Sequence, residues 1–157
     1  MISTVLFCER RSCIFVRSIG EFRDSAQRKL IDAVEYSTMM RKGAPALIDM
    51  NKLTFTVAQT DVINFASNAP KPEDGCKRRV AVAAEQPITF ALLQLICDVR
   101  THSMHESKVY QTLKEAGASL GFDLQDERFP VDVEEMLEKA AVSLDALDTS
   151  RDVLLML

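Results

Sequence analysis

The chain has 157 residues, 47% of them apolar and 27% charged, the balance of one ordinary globular domain and not of a disordered or fibrous chain. A formal net charge of −4 works against non-specific attraction to phosphate backbones and anionic lipid. Nucleic acid is therefore not an expected partner, and Arg10-Arg11 and Lys77-Arg78-Arg79 read as solvated loop or strand edges.

No apolar run approaches the ~20 residues that span a bilayer, and Ile2–Phe7 is too short for a secretory core and lacks preceding basic residues. Neither export nor membrane insertion is expected. Cys8, Cys13, Cys76 and Cys97 are unevenly spaced, three of them inside apolar runs, which predicts reduced thiols and a cytoplasmic location.

In chain order, Ser3–Cys8 and Ser12–Ile19 are rich in β-branched and aromatic residues and are separated by Glu9-Arg10-Arg11, the pattern of a hairpin. After Gly20 the period becomes helical: Asp24 caps, Leu30, Ile31 and Val34 continue the stripe, and Gly43 ends it. Pro45 permits an extended start to Ala46–Met50, a nearly all-apolar run expected of a strand covered on both faces. Asn51–Phe55 reads as the loop leaving it. Thr56 with Gln59 matches a capping box, so a helix is predicted over 56–68.

Pro70-Lys71-Pro72-Glu73-Asp74-Gly75 breaks that helix, and Arg79–Ala84 follows as another buried strand. Pro87 is placed to open a helix running to about Thr101. Val109-Tyr110 is a minimal last strand, followed by a capping box of Thr112 and Glu115, a stripe of Leu113, Ala116 and Leu120, and a stop at Gly121. Strands alternating with helices predict an α/β fold: a mixed, mostly parallel sheet of about five strands with helical cover.

Pro130 and Asp132 begin a final helix with Val133, Met136, Leu137, Ala140, Ala141, Leu144 and Leu147 on one face. That face folds back over the domain or meets a second subunit, and Val153–Leu157 is expected to behave the same way. The organisation expected is an α/β domain over 1–123 and a helical extension over 124–157.

The order of strand pair, helix, ALIDM, helix, RVAVAA, helix and Val109-Tyr110 with its helix resembles the STAS-like domains, relatives of the bacterial anti-sigma factor antagonist, in their SpoIIAA-like branch. The likeness covers about residues 3–123 and rests on that order and on LIDM, RVAVAA and Val109–Ala116. Where the family typically ends a helix in Trp-Leu, this chain has Ser119-Leu120. The resemblance implies a non-enzymatic interaction or regulatory module. The family's Asp-Ser-Ser-Gly switch falls on Val57-Ala58-Gln59-Thr60, where no serine stands. Thr56 or Thr60 are the remaining acceptors for a phosphate, although Thr56 reads first as an N-cap.

Other chemistry finds less support. Asp98, His102, His105 and Glu106 are metal-capable, but the two histidines lie at a helix end without a third ligand of convincing spacing. Cys97 and His102, five residues apart, sit poorly on one helix face for a nucleophile pair. No Gly-rich phosphate loop follows a strand. Asp49, at the end of a central strand, occupies a common ligand position, with a turn carboxylate accepting N–H groups from 51–53 as the plainer reading. No catalytic residue, metal or cofactor is expected.

The helix after Pro87 carries Ile88, Leu92, Leu95, Ile96 and Val99 on one face and Phe90, Leu93 and Cys97 on the other. Two stripes need two partners: the sheet, and the last helix, a second copy or a ligand. The candidate partner-binding loop is Asp49, Asn51, Lys52, Thr54, Thr56 and Thr60. The candidate dimer or ligand surface is Phe90, Leu93, Cys97, Met136, Leu137 and Leu144. A protein partner or a homodimer leads, with a carrier of a small apolar ligand, lined by Phe65, Phe90 and Leu93, as the alternative.

Overall fold

The computed structural model describes residues 1–22, 28, 30, 43–56, 59–68, 78–100, 105–125, 128–145 and 153–156; for 59, 100, 105, 140–145 and 153–156 it describes the backbone. Among the described residues six strands, β1 (Ile2–Cys8), β2 (Cys13–Glu21), β3 (Ala46–Thr54), β4 (Arg78–Ala83), β5 (His105–Tyr110) and β6 (Val153–Met156), form one sheet in the order β5-β4-β3-β2-β1-β6. Only β1 and β2 pair antiparallel; every other neighbouring pair is parallel. The mixed, mostly parallel α/β fold is as the alternation predicts, with a sixth strand added by the C-terminal segment.

The hairpin closes through a single 3-10 turn at Glu9–Arg11, and Ser12 takes the left-handed conformation (φ 46°) that returns the chain into β2. Side-chain alternation then sorts the strands onto two faces. Val5, Phe7, Ile14, Val16, Ala46, Ile48 and Val82 belong to one core, and Leu6, Cys8, Cys13, Phe15, Leu47, Ala81 and Ala83 to the other.

Helices α1 (Gln59–Asn68) and α2 (Pro87–Arg100) cover the first face through Val62, Phe65, Ala66, Leu93, Ile96 and Cys97. Both are crossovers of a chain stepping in one direction, β3 to β4 to β5, so a common handedness puts them on a common side. Helices α3 (Leu113–Ser119) and α4 (Val131–Asp145) cover the second face through Leu113, Ala116, Val133 and Leu137. The result is three layers, helix, sheet and helix. The helix predicted between Asp24 and Gly43 lies outside the described residues except Arg28 and Leu30, which are helical, and Leu30 is buried in the first core.

Three boundaries differ from the sequence reading. Asn51–Thr54 is strand, not loop: β3 continues alongside Ile19–Glu21 with Leu53 fully buried, and its polar neighbours only looked loop-like because they face outward. Strand β5 begins at His105, so this histidine is not at a helix end; its polar alternation is that of an edge strand. The described part of α1 starts at Gln59, three residues after Thr56.

The start and stop signals of α3 are as read. Thr112 Oγ1 accepts from Glu115 N at 3.1 Å, the Glu115 carboxylate accepts from Thr112 N at 3.3 Å, and Gly121 ends the turn at φ +87°.

Helix α2 does not present two opposite apolar faces to two partners. Thr89, Leu93, Ile96 and Cys97, at i, i+4, i+7 and i+8, form one buried arc against the sheet, flanked by Phe90 and Leu92. Ile88 is left 71% exposed. On α4, Val133 and Leu137 are buried on the chain's own sheet, whereas Met136 is rotated to the flank and 40% exposed. The side chain of Leu144 lies outside the described residues.

Candidate functional site at the end of the central strand

The sheet is polar where β2 and β3 leave its centre. Cys13, Phe15 and Arg17 point to the second face by alternation, and Arg17 stands opposite Asp49 in the parallel register. Arg17 Nε donates to Asp49 Oδ2 at 3.1 Å, while Nη1 and Nη2 donate to Glu134 Oε1 and Oε2 at 2.7 and 2.9 Å. Glu134 comes from the first turn of α4, so a two-pronged Arg–Glu fork ties that helix to the sheet. The same guanidinium lies 5.1 Å from the centroid of the Phe129 ring.

Burial pushes the Arg17 guanidinium down, but the hydrogen-bonded Glu134 carboxylate and the charge of Asp49 more than offset this and hold it above its ordinary value. It is a permanent cation. A second pair, Arg11 to Asp132 at 3.2 Å, holds the same helix turn closer to the hairpin.

Asp49 has a further task. Between Arg17 and Ile19 the partner strand advances from Asp49 to Lys52, one residue more than β2, which is a bulge. The bulge leaves Asn51 N–H outside the ladder, and Asp49 Oδ1 accepts it at 3.1 Å. Asn51 Oδ1 in turn accepts from Glu85 N at 2.9 Å, joining the end of β3 to the segment after β4. Thr89 Oγ1 donates to Leu53 O at 3.1 Å and anchors the start of α2 at the same place.

The turn-carboxylate reading of Asp49 is therefore what the structure contains. A carboxylate occupied by a guanidinium and a backbone N–H is not poised as a general base. Asp49 and Asn51 are thus framework, and the exposed residues of the candidate loop are Lys52, Thr54, Thr56 and Thr60. Thr54 Oγ1 donates to Gly20 O at 3.4 Å, and the Thr56 hydroxyl donates to the Glu21 carboxylate, a partner the capping-box reading did not foresee. On the first face Phe22 stacks on Phe55 at 4.7 Å and meets Phe65 edge-on. Phe22, Phe55 and Phe65 thus form an aromatic cluster in and against the first core, beside Leu53.

The second candidate surface is largely interior. Leu93, Cys97 and Leu137 are buried in the chain's own cores, and Phe90 packs against the first of them. Phe65 and Leu93 fill that core, and neither lines the grooves beside β5 and before α4. Cys8 and Cys13, paired across the hairpin, and Cys97 are buried reduced thiols; burial pushes Cys13 up to about 12, so it stays protonated at neutral pH. Cys76 and His102 lie outside the described residues. Among the described residues no group of three or more His, Cys, Asp or Glu side chains is placed to hold a metal ion, and no helix is long and apolar enough to cross a membrane.

Arg17, Glu134 and Phe129 are the residues that sequence reasoning passed over. The available signal was a charge at an inward position of an otherwise apolar strand, Cys13-Ile14-Phe15-Val16-Arg17, which demands a buried partner. No protein-family model, curated protein or solved structure matches the chain at a significant level.

Proposed function

We propose that this domain is a non-enzymatic protein-interaction module of the STAS-like kind, engaging a protein partner through the ridge of Lys52, Thr54, Thr56 and Thr60. The observation that carries this reading is the division of labour at the end of β3. Asp49 and Asn51 are consumed in holding Arg17, the bulge and the segment after β4, while Lys52, Thr54, Thr56 and Thr60 stay exposed. The ridge stands partly in strand β3 and partly in helix α1, so little of it needs ordering on binding. It lacks the serines of the family's phosphate switch, so regulation of binding runs through another device.

The competing reading, a carrier of a small apolar ligand, has less support, because Phe65, Phe90 and Leu93 pack in or against the core. Affinity capture from source cells separates the two. Wild type is expected to retain a defined protein that Lys52→Glu/Thr54→Arg, with an unchanged melting temperature, fails to retain. Equal capture by both forms sinks the ridge as the interface. A stoichiometric apolar adduct in native mass spectrometry supports the carrier instead.

A further inference from the structure

Strand β5 is the last strand of the sheet on its side, and among the described residues no other strand pairs with its outer edge. Its register fixes which backbone groups that edge offers. Tyr110 O accepts from Ala84 N at 3.0 Å, so the polar backbone groups of Tyr110, and by alternation those of Lys108 and Glu106, point to β4. Those of His105, Ser107 and Val109 point outward.

Edge strands normally discourage pairing with charge, and Glu106 and Lys108 are both exposed. Here the charges have opposite sign and sit two residues apart about Ser107. An antiparallel pairing with a second copy, centred on Ser107 opposite Ser107, sets Glu106 of each chain opposite Lys108 of the other. Both residues project to the second face of the sheet, alongside Arg79 and Ala81 of β4, so the two oppositely charged pairs meet on one side. In the same register Ser107 faces Ser107, and His105 faces Val109 twice, as hydrogen-bonded pairs made by the outward groups. Charge pattern and backbone pattern thus select the same two-fold register.

The second face is also open there. A groove of about 320 Å³ lies beside the edge, lined by Arg79, Ala81, Glu106, Lys108, Tyr110 and Ser119. Helix α3 therefore leaves Glu106 and Lys108 uncovered on this face. Lys108 Nζ rests 5.4 Å from the Tyr110 ring centroid, which keeps the ammonium on that face.

We infer that β5 is a self-complementary edge through which two copies of this chain join their sheets into one, with Glu106–Lys108 pairs on either side of a two-fold axis at Ser107. This does not rest on the ridge at β3, which lies at a different part of the molecule. It replaces α2 and α4 as the dimer surface.

Sedimentation across a dilution series tests it. Wild type is expected to dimerise, and Lys108→Glu or Glu106→Lys alone, each setting like charges opposite at two places, weakens the dimer by about tenfold or more. The double variant Glu106→Lys/Lys108→Glu restores the opposite pairing and with it the dimer. Ser107→Pro removes an N–H that β4 does not use and is expected to yield a folded monomer. Hydrogen exchange at the 105, 107 and 109 amides slows with concentration in wild type and in the double variant, and not in the single charge variants. A wild-type monomer at all soluble concentrations overturns the inference, as does a dimer indifferent to both single charge variants, or one weakened by them and not restored by the double.

Discussion

Replacing Arg17 with methionine is the most direct probe of how the end of the sheet is held. The side chains of Arg17, Asp49 and Glu134 are 17%, 12% and 26% exposed, so the cluster is sheltered but not dry. Methionine refills the aliphatic stem and removes three charged hydrogen bonds together with the contact to Phe129. Two carboxylates then remain beside each other without a cation. Leaving a fully buried charge unpaired costs 3–5 kcal/mol, and partial exposure moves the expectation to about 3 kcal/mol. For a domain of this length that is a fall of roughly 6–12 °C in melting temperature.

The comparison that gives this number meaning is Glu134→Gln. There Arg17 keeps Asp49 and an amide oxygen, so the expected loss is only about 1 kcal/mol. Urea unfolding with an unchanged m value measures both. If Arg17→Met lies within about 0.5 kcal/mol of wild type, water already competes for the cluster and the framework role assigned to Asp49 is wrong. Equal losses from both variants refute the claim that Asp49 shares the cation.

Three further outcomes are expected. The Cys13 thiol ionises at about 12 in the folded chain against an ordinary 9.0, so the unfolded chain sheds its proton first. Stability from this group is complete below pH 9 and falls by up to about 1.4 kcal/mol per pH unit towards pH 12, and Cys13→Ala removes that component from urea midpoints measured across the window. Although slight burial raises the Asp132 carboxyl, the Arg11 hydrogen bond and charge outweigh it and hold the group below its ordinary 3.8. Its contribution is present above that value and is lost as the pH falls through the depressed one. Because the pair is exposed, Asp132→Asn costs only a few tenths of a kcal/mol at neutral pH, and wild type and variant converge at the acid limit. Gly117→Ala places a Cβ 2.6 Å from Leu124 Cδ1 in the second core and costs about 1–3 kcal/mol by overpacking. Gly121→Ala meets nothing within 4 Å yet loses about 1 kcal/mol to its φ of +87°, so similar losses with only the first disturbing Leu124 in side-chain NMR distinguish the two causes.

Much of this protein was legible along the chain, because the relevant physics is local. The hairpin, the buried runs Ala46–Met50 and Arg79–Ala84, the Pro87 start of α2 and the Thr112–Glu115 box each depend on a few neighbouring side chains and their period. Asp49 as a turn carboxylate was equally readable, since its Asn51 partner is two residues away. What sequence reading missed were contacts between distant positions. The continuation of β3 through Asn51–Thr54 follows from pairing with Ile19–Glu21, more than thirty residues earlier. Arg17 needs Glu134, 117 residues later, and neither residue announces the other.

The strand Val153–Met156 looked like loose apolar cover until its parallel pairing with β1 gave its backbone a place in the sheet. Spacing alone offered α2 two apolar faces, and only the docked helix decided that Leu93 and Cys97 belong to the same buried arc as Ile96. Residue type and period determine which elements this chain forms and which positions can be buried. Packing, in which each inward side chain competes for one place against a distant partner, decides which positions are buried, which charges meet and which strand edge is left open.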